Sequence, residues 1–140
     1  MKNFLRCQSM KTIPTPLETI EQQNFVKYAR FWLRLKGLDQ LLFAIPNEGF
    51  RDVKNRCRMI AEGLVSGVPD LCLAIPVGKY HGLYIEMKRQ KQSRVTDDQE
   101  FMIKLLKSQG YRVEVCKGYD SAKAVFFFYM KETGLFERNP

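Results

Sequence analysis

A chain of 140 residues with 45% hydrophobic side chains has the length of one domain and enough apolar material for a core. Its 23 Lys and Arg against 15 Asp and Glu give a formal charge of +8, a balance that suits a polyanionic partner, most often nucleic acid. No stretch approaches bilayer length, no signal-peptide pattern opens the chain, and Cys7, Cys57, Cys72 and Cys116 form no C-x-x-C pair, which argues against a membrane protein and a structural zinc site and points to a soluble cytoplasmic one.

Residues 1–16 mix Lys2, Arg6 and Lys11 with Pro14 and Pro16 and read as a loose leader. Residues 17–133 read as a single domain and residues 134–140 as a tail. Leu17, Phe25, Tyr28, Trp32 and Leu35 recur at helical spacing and predict a helix over 17–36, opened by Thr15-Pro16 and stopped by Gly37. Glu18 and Glu21 fall within or beside that apolar stripe. Acids in a first turn complement the helix dipole, which accounts for one of the two.

Leu41 to Pro46 reads as a short buried strand, followed by a loop over residues 47–51 and a helix over 52–62. Arg51, Lys54, Arg56 and Arg58 lie in that segment. They either solvate a helix or form a phosphate-contacting face, and the net charge favours the second.

Gly63 and Ser66-Gly67 then lead into Gly67-Val68-Pro69-Asp70, which opens the apolar run Leu71 to Ile75. The next run, Leu83 to Lys88, alternates. Leu83, Ile85 and Met87 point one way on a strand, and Tyr84, Glu86 and Lys88 the other. The 15 residues between Asp70 and Glu86 allow two short strands and a loop over residues 76–82, where the lone histidine His81 reads as a turn residue. Such a hairpin brings an acid at the start of one strand near an acid late in the next. Two carboxylates and a Lys around one point make a site for a hard divalent cation and a water beside a phosphate. Taken singly, Pro-Asp only starts a turn and Glu-x-Lys is a solvated strand face. No Ser-His-Asp arrangement, P-loop or GxGxxG competes with this reading.

Arg89 to Arg94 is a polar, basic loop. Thr96-x-x-Gln99 is a capping box opening a helix with Phe101, Ile103, Leu105 and Leu106, stopped by Gly110. Tyr111 to Cys116 alternates as a strand, and Asp120 or Ser121 can cap a last helix through Lys131 with Val125, Phe126 and Tyr129 toward the core. The run Phe126 to Tyr129 is too short for a membrane span. It fits core packing first and an oligomer contact second. The order α-β-α-β-β-α-β-α gives an α/β fold around a small mixed sheet, with the acids at one end.

Gly67-Val68-Pro69-Asp70-Leu71, then Glu86-Met87-Lys88 on a strand, then a helix bearing Gln99 resemble, in that order, the VRR-NUC family, a branch of the PD-(D/E)xK nuclease superfamily. The resemblance spans Leu17 to Met130. It implies a restriction-endonuclease-like fold, a small mixed central β-sheet flanked by helices, and a nuclease hydrolysing phosphodiester bonds in DNA with Mg²⁺ or Mn²⁺. On that resemblance Asp70 and Glu86 bind the ion, with the backbone carbonyl of Met87 as a further ligand. Lys88 orients or activates the water. An acid on the first helix completes the shell, for which Glu21 is preferred and Glu18 is the alternative. Gln99 lies close to the active site besides closing its helix. Arg51, Lys54, Arg56, Arg58, Arg89 and Lys91 are assigned to nucleic acid.

The family includes enzymes acting on branched or flapped DNA, and its small stand-alone members are similar to phage or bacterial proteins. The expected partner is DNA, with no membrane and no small-molecule cofactor. A homodimer would let two sites address two strands, but the sequence does not show one. Two other readings stay open: a basic nucleic-acid-binding module with a degenerate shell, and the same shell acting on RNA or unbranched DNA. Against the first, Asp70, Glu86 and Lys88 all keep the chemically required types.

Overall fold

The computed structural model of the protein describes residues 16–46 and 52–135. The expected leader up to residue 15 with Cys7, the loop at 47–51 with Arg51, and the tail from residue 136 lie outside the described residues.

The elements follow in the order α1 (Glu18–Arg34), a 3₁₀ turn (Asp39–Leu41), β1 (Leu42–Ala44), α2 (Val53–Ala61), β2 (Leu71–Leu73), β3 (Leu83–Lys88), α3 (Asp97–Ser108), β4 (Arg112–Lys117) and α4 (Tyr119–Lys131). The four strands form one sheet in the order β1-β2-β3-β4. β1, β2 and β3 pair antiparallel, whereas β3 and β4 run parallel. A parallel pair needs a crossover, and α3 supplies it. The result is the expected α/β architecture with a small mixed sheet.

The two faces of β3 divide the molecule. Leu83, Ile85 and Met87 are buried against α1 and α4, in one cluster with Phe25, Ala29, Leu33, Ala122, Phe126 and Met130. In both helices the buried residues recur every three or four positions, the spacing of one helix face. Phe25 meets Phe126 edge-to-face at 6.1 Å where α1 crosses α4. Burying each such ring contributes roughly 1.5–3 kcal/mol. Glu86 and Lys88 lie on the opposite face, toward α3.

Several expectations shift. The buried stripe of α1 runs Glu21, Phe25, Ala29 and Leu33, while Leu17 and Leu35 are exposed because they lie at or beyond the helix ends. β1 is not the buried strand its apolar run suggests: it is a sheet edge and only Leu42 is covered. α3 buries Gln99 alone, and Phe101 and Leu105 face solvent. α4 begins at Tyr119, before either expected cap, with Gly118 at its N-cap. No residue of α2 is buried. Among the described residues, no helix is long and apolar enough to cross a membrane.

Candidate active site

The site grows out of the β2–β3 register. Leu71 pairs with Ile85, so one further step places Asp70 opposite Glu86, on the face shared with Cys72 and Tyr84. β2 has not yet begun there, and that edge of β3 is left to a side chain. Asp70 Oδ2 accepts the Met87 amide N–H at 2.7 Å. A strand residue directs its N–H and C=O to the same edge, so the Met87 carbonyl also faces the Asp70 side. The Asp70 carbonyl accepts from Ile45 N, which ties the acid to β1 as well.

The Gly67 turn holds this corner against α3. Gly67 is buried at φ +82°, and a Cβ there would run into the Asp98 carbonyl. Only glycine tolerates both the left-handed backbone and the close approach. Ser66 Oγ donates to Asp98 Oδ2 at 2.6 Å across the same contact. A cleft of about 270 Å³ opens here, lined by Ser66, Asp70, Thr96 and Gln99 among others.

Gln99 closes its helix and also touches Glu86. Its Oε1 accepts from Thr96 N at 2.9 Å and Gln99 N donates to Thr96 Oγ1, closing the capping box. Its Nε2 donates to Glu86 Oε1 at 2.5 Å. Lys88 Nζ reaches that same oxygen at 2.8 Å. Glu86 is 1% exposed and Lys88 7%. Burial pushes the Glu86 carboxyl up to about 7; the Lys88 hydrogen bond opposes this, while the charges of Asp70 and Glu18 add to it. Burial alone would lower the Lys88 ammonium. Its bond to Glu86 and the negative charges of Glu86, Glu18 and Asp70 outweigh that, and the net shift is upward.

The structure separates the two acids of α1. Glu21 is buried, but its Oε1 accepts from Gln90 Nε2 at 2.8 Å and its Oε2 from Tyr119 N at 2.5 Å. Its carboxylate is therefore turned to the β3–α3 loop and the start of α4 rather than to the Asp70–Glu86–Lys88 group. Glu18, one turn earlier, is the α1 acid whose charge reaches both Glu86 and Lys88. Glu18 and Asp70 also line one cleft of about 620 Å³. Each oxygen of Glu21 thus already accepts a hydrogen bond, whereas Glu18 shares a cleft with Asp70.

The basic residues lie on the surface. Lys54, Arg56 and Arg58 are exposed on α2, where Arg58 bonds Asn55 and pairs with Glu62 at 3.8 Å. Arg89 and Lys91 are exposed directly after β3. Gln90, which lies between those two, carries no signal in the sequence. Its partner Glu21 is far away along the chain, and no local pattern links the two.

Among the described residues, no three His, Cys, Asp or Glu side chains gather into a cation site. The donor set still fits a hard divalent ion, which takes oxygen ligands and, if small, keeps several waters beside one or two carboxylates. Glu86 Oε2 is the telling atom: it is buried and, among the described residues, has no hydrogen-bond partner. A buried carboxylate oxygen is costly unless something fills its lone pairs. Asp70, Glu86 and the Met87 carbonyl are the groups that could hold such an ion.

The sequence profile of the VRR-NUC domain matches residues 12–120. A solved structure of a VRR_NUC domain protein superposes with a TM-score of 0.71 at 30% identity, covering 84% of this chain and 91% of that one. No curated protein matches the chain. The motif order, the mixed sheet and the profile converge, and the chain belongs to the VRR-NUC domain family of nucleases.

Proposed function

We propose that this domain is a divalent-metal-dependent DNA endonuclease whose site is built on Asp70, Glu86 and Lys88. The observation that carries this reading is the buried Glu86 carboxylate, with one oxygen held by Lys88 and Gln99 and the other without a partner among the described residues. Asp70, Glu86 and the Met87 carbonyl would hold Mg²⁺ or Mn²⁺. Such an ion, when bound, polarises the phosphate and makes a water acidic enough to attack near neutral pH.

The chain's own groups do the rest. Lys88 stays cationic because Glu86 holds it at 2.8 Å, so it can orient the attacking water and offset charge on the scissile phosphate. Gln99 fixes Glu86 from the other side and is itself locked by its cap. Water oxygen bonds to phosphorus, one phosphodiester P–O bond breaks, and the departing oxygen takes up a proton. Glu18 adds negative charge at the α1 side of the cleft. α2 is exposed and carries Lys54 and Arg56, which supports a further preference for flapped or four-way DNA, whose second arm meets a basic surface.

The test is purified protein with Mg²⁺ or Mn²⁺ against linear, flapped, four-way and single-stranded DNA, read beside metal titration at pH 8.5. Lys88→Ala should retain metal and DNA binding while losing about a hundredfold or more in single-turnover rate. Glu86→Ala should lose metal binding and cleavage together. Absence of cleavage with either ion, or a Lys88→Ala protein cutting at the wild-type rate, would sink this mechanism.

A further inference from the structure

We propose that Glu21 and Gln90 form a clamp that positions the chain leaving the candidate site, so that Arg89 and Lys91 meet the nucleic-acid backbone; this rests on the nuclease reading above. Glu21 is 5% exposed in the first turn of α1. One carboxylate oxygen takes Gln90 Nε2 and the other takes the Tyr119 amide. Gln90 stands two residues beyond Lys88, and Tyr119 two beyond Lys117, the β4 partner of Lys88. Gly118 lies between these two points. Its N–H donates to the Lys88 carbonyl at 3.0 Å, and at φ +84° a Cβ on it would come within 2.9 Å of the Gln90 side chain. The ends of β3 and β4 and the first turns of α1 and α4 therefore meet around one amide.

The two bonds of Glu21 do different things. The bond from Tyr119 N satisfies an orphan donor at the start of α4, where Gly118 offers no side chain to do so, and a carboxylate there suits the helix dipole. That bond alone would suffice to cap the helix. The bond from Gln90 reaches instead into a loop outside regular structure, to an exposed residue with a basic side chain on either side. Hydrogen bonds to a carboxylate are about twice as strong as neutral ones, so this one can fix the loop where Gln90 packs on Gly118. Fixing Gln90 fixes the backbone from which Arg89 and Lys91 project. Glu21 and Gln90 are thus positioning residues, and neither is asked to touch the substrate.

The test uses the full chain, with DNA binding by fluorescence anisotropy in a chelator across a salt series and single-turnover cleavage alongside. Gln90→Ala leaves the helix cap intact and should lower the melting temperature only slightly. It should lower the salt slope of binding by about one unit for each phosphate that Arg89 or Lys91 no longer neutralises. Cleavage should slow by about tenfold, the low end for losing a supporting partner. In the exchange Glu21→Gln/Gln90→Glu, the amide now donates from α1 and the carboxylate accepts from the loop, so both bonds re-form and slope and rate should recover. A Gln90→Ala protein with wild-type slope and rate would overturn the clamp, as would a double exchange no better than Gln90→Ala. If the wild type binds DNA with the expected slopes but never cuts, the nuclease reading fails and the clamp stands. If the wild type does not bind DNA, both fail.

Discussion

Gln99 Nε2 lies 2.5 Å from Glu86 Oε1 while Gln99 Oε1 accepts the Thr96 amide, so one side chain closes a helix and holds the candidate site. Replacing Gln99 by Ala should therefore cost on two accounts. The capping box is worth about 1 kcal/mol. Glu86 loses a donor to its ionised form, so its carboxyl should move further up from about 7. Cleavage at pH 7 should fall about tenfold and partly recover at pH 8.5. Thr96→Ala loses cap strength without touching Glu86 and should keep its rate. Equal rate losses in the two variants, measured beside thermal melts, would show that only the cap matters.

Gly67→Ala should be among the most damaging small substitutions in the chain. A methyl group there meets the Asp98 carbonyl, and φ +82° adds backbone strain of about 1–3 kcal/mol. The turn must then move away from α3, taking Asp70 away from Gln99. Gly63→Ala is the matched control: its φ is +107°, but nothing lies within 4 Å of a Cβ. Melting temperature should fall in both variants, and activity beyond the stability loss only in Gly67→Ala.

The Glu86 carboxyl predicts a pH signature for the metal-free protein. Its folded value of about 7 lies above the ordinary 4.5, so the folded state binds the proton more tightly than the unfolded chain does. Stability linked to this group is full below about 4.5 and is lost as pH rises from there through 7. Glu86→Gln, which does not titrate, should become progressively more stable than wild type across that window. Metal should bind wild type more tightly as pH rises through 7, because it competes with the proton. Denaturant melts at pH 5 and pH 8 measure the gap, and a gap that does not change with pH would contradict the burial argument.

Lys54 and Arg56 can be tested without disturbing the fold, since α2 buries none of its residues. Replacing both with Ala should leave stability within about 0.5 kcal/mol of wild type. The salt slope of DNA binding should drop by about one unit for each phosphate left without its cation. Arg58 is a poorer probe because Asn55 and Glu62 already engage it. An unchanged slope would make this face solvation only.

The parts of the fold that are legible in the sequence are those with a strong local period. β3 is one: its alternation separates the core face from the face of Glu86 and Lys88, and its bounds are those expected. The Thr96–Gln99 cap is another, because a capping box is entirely local. The surroundings of Glu21 are illegible for the opposite reason. Its charge in an apolar stripe draws notice, but the donors that explain it come from Gln90 and Tyr119, which only tertiary packing brings near. β1 reads as buried because Leu41 to Ile45 is apolar, and edge position depends on strand order, which no single run encodes. α3 carries the apolar Phe101 and Leu105, yet those side chains face solvent while a polar one is buried.

The exposure of α2 has an evolutionary consequence. A segment with no side chain in the core can exchange residues with little penalty to folding, whereas any change at Gly67, Gln99 or Glu86 disturbs contacts that hold the site together. With α2 as the docking face proposed above, selection on binding and selection on chemistry would fall on different stretches of chain. Grafting residues 53–61 from one relative to another should transfer substrate preference while leaving turnover on a simple duplex as it was.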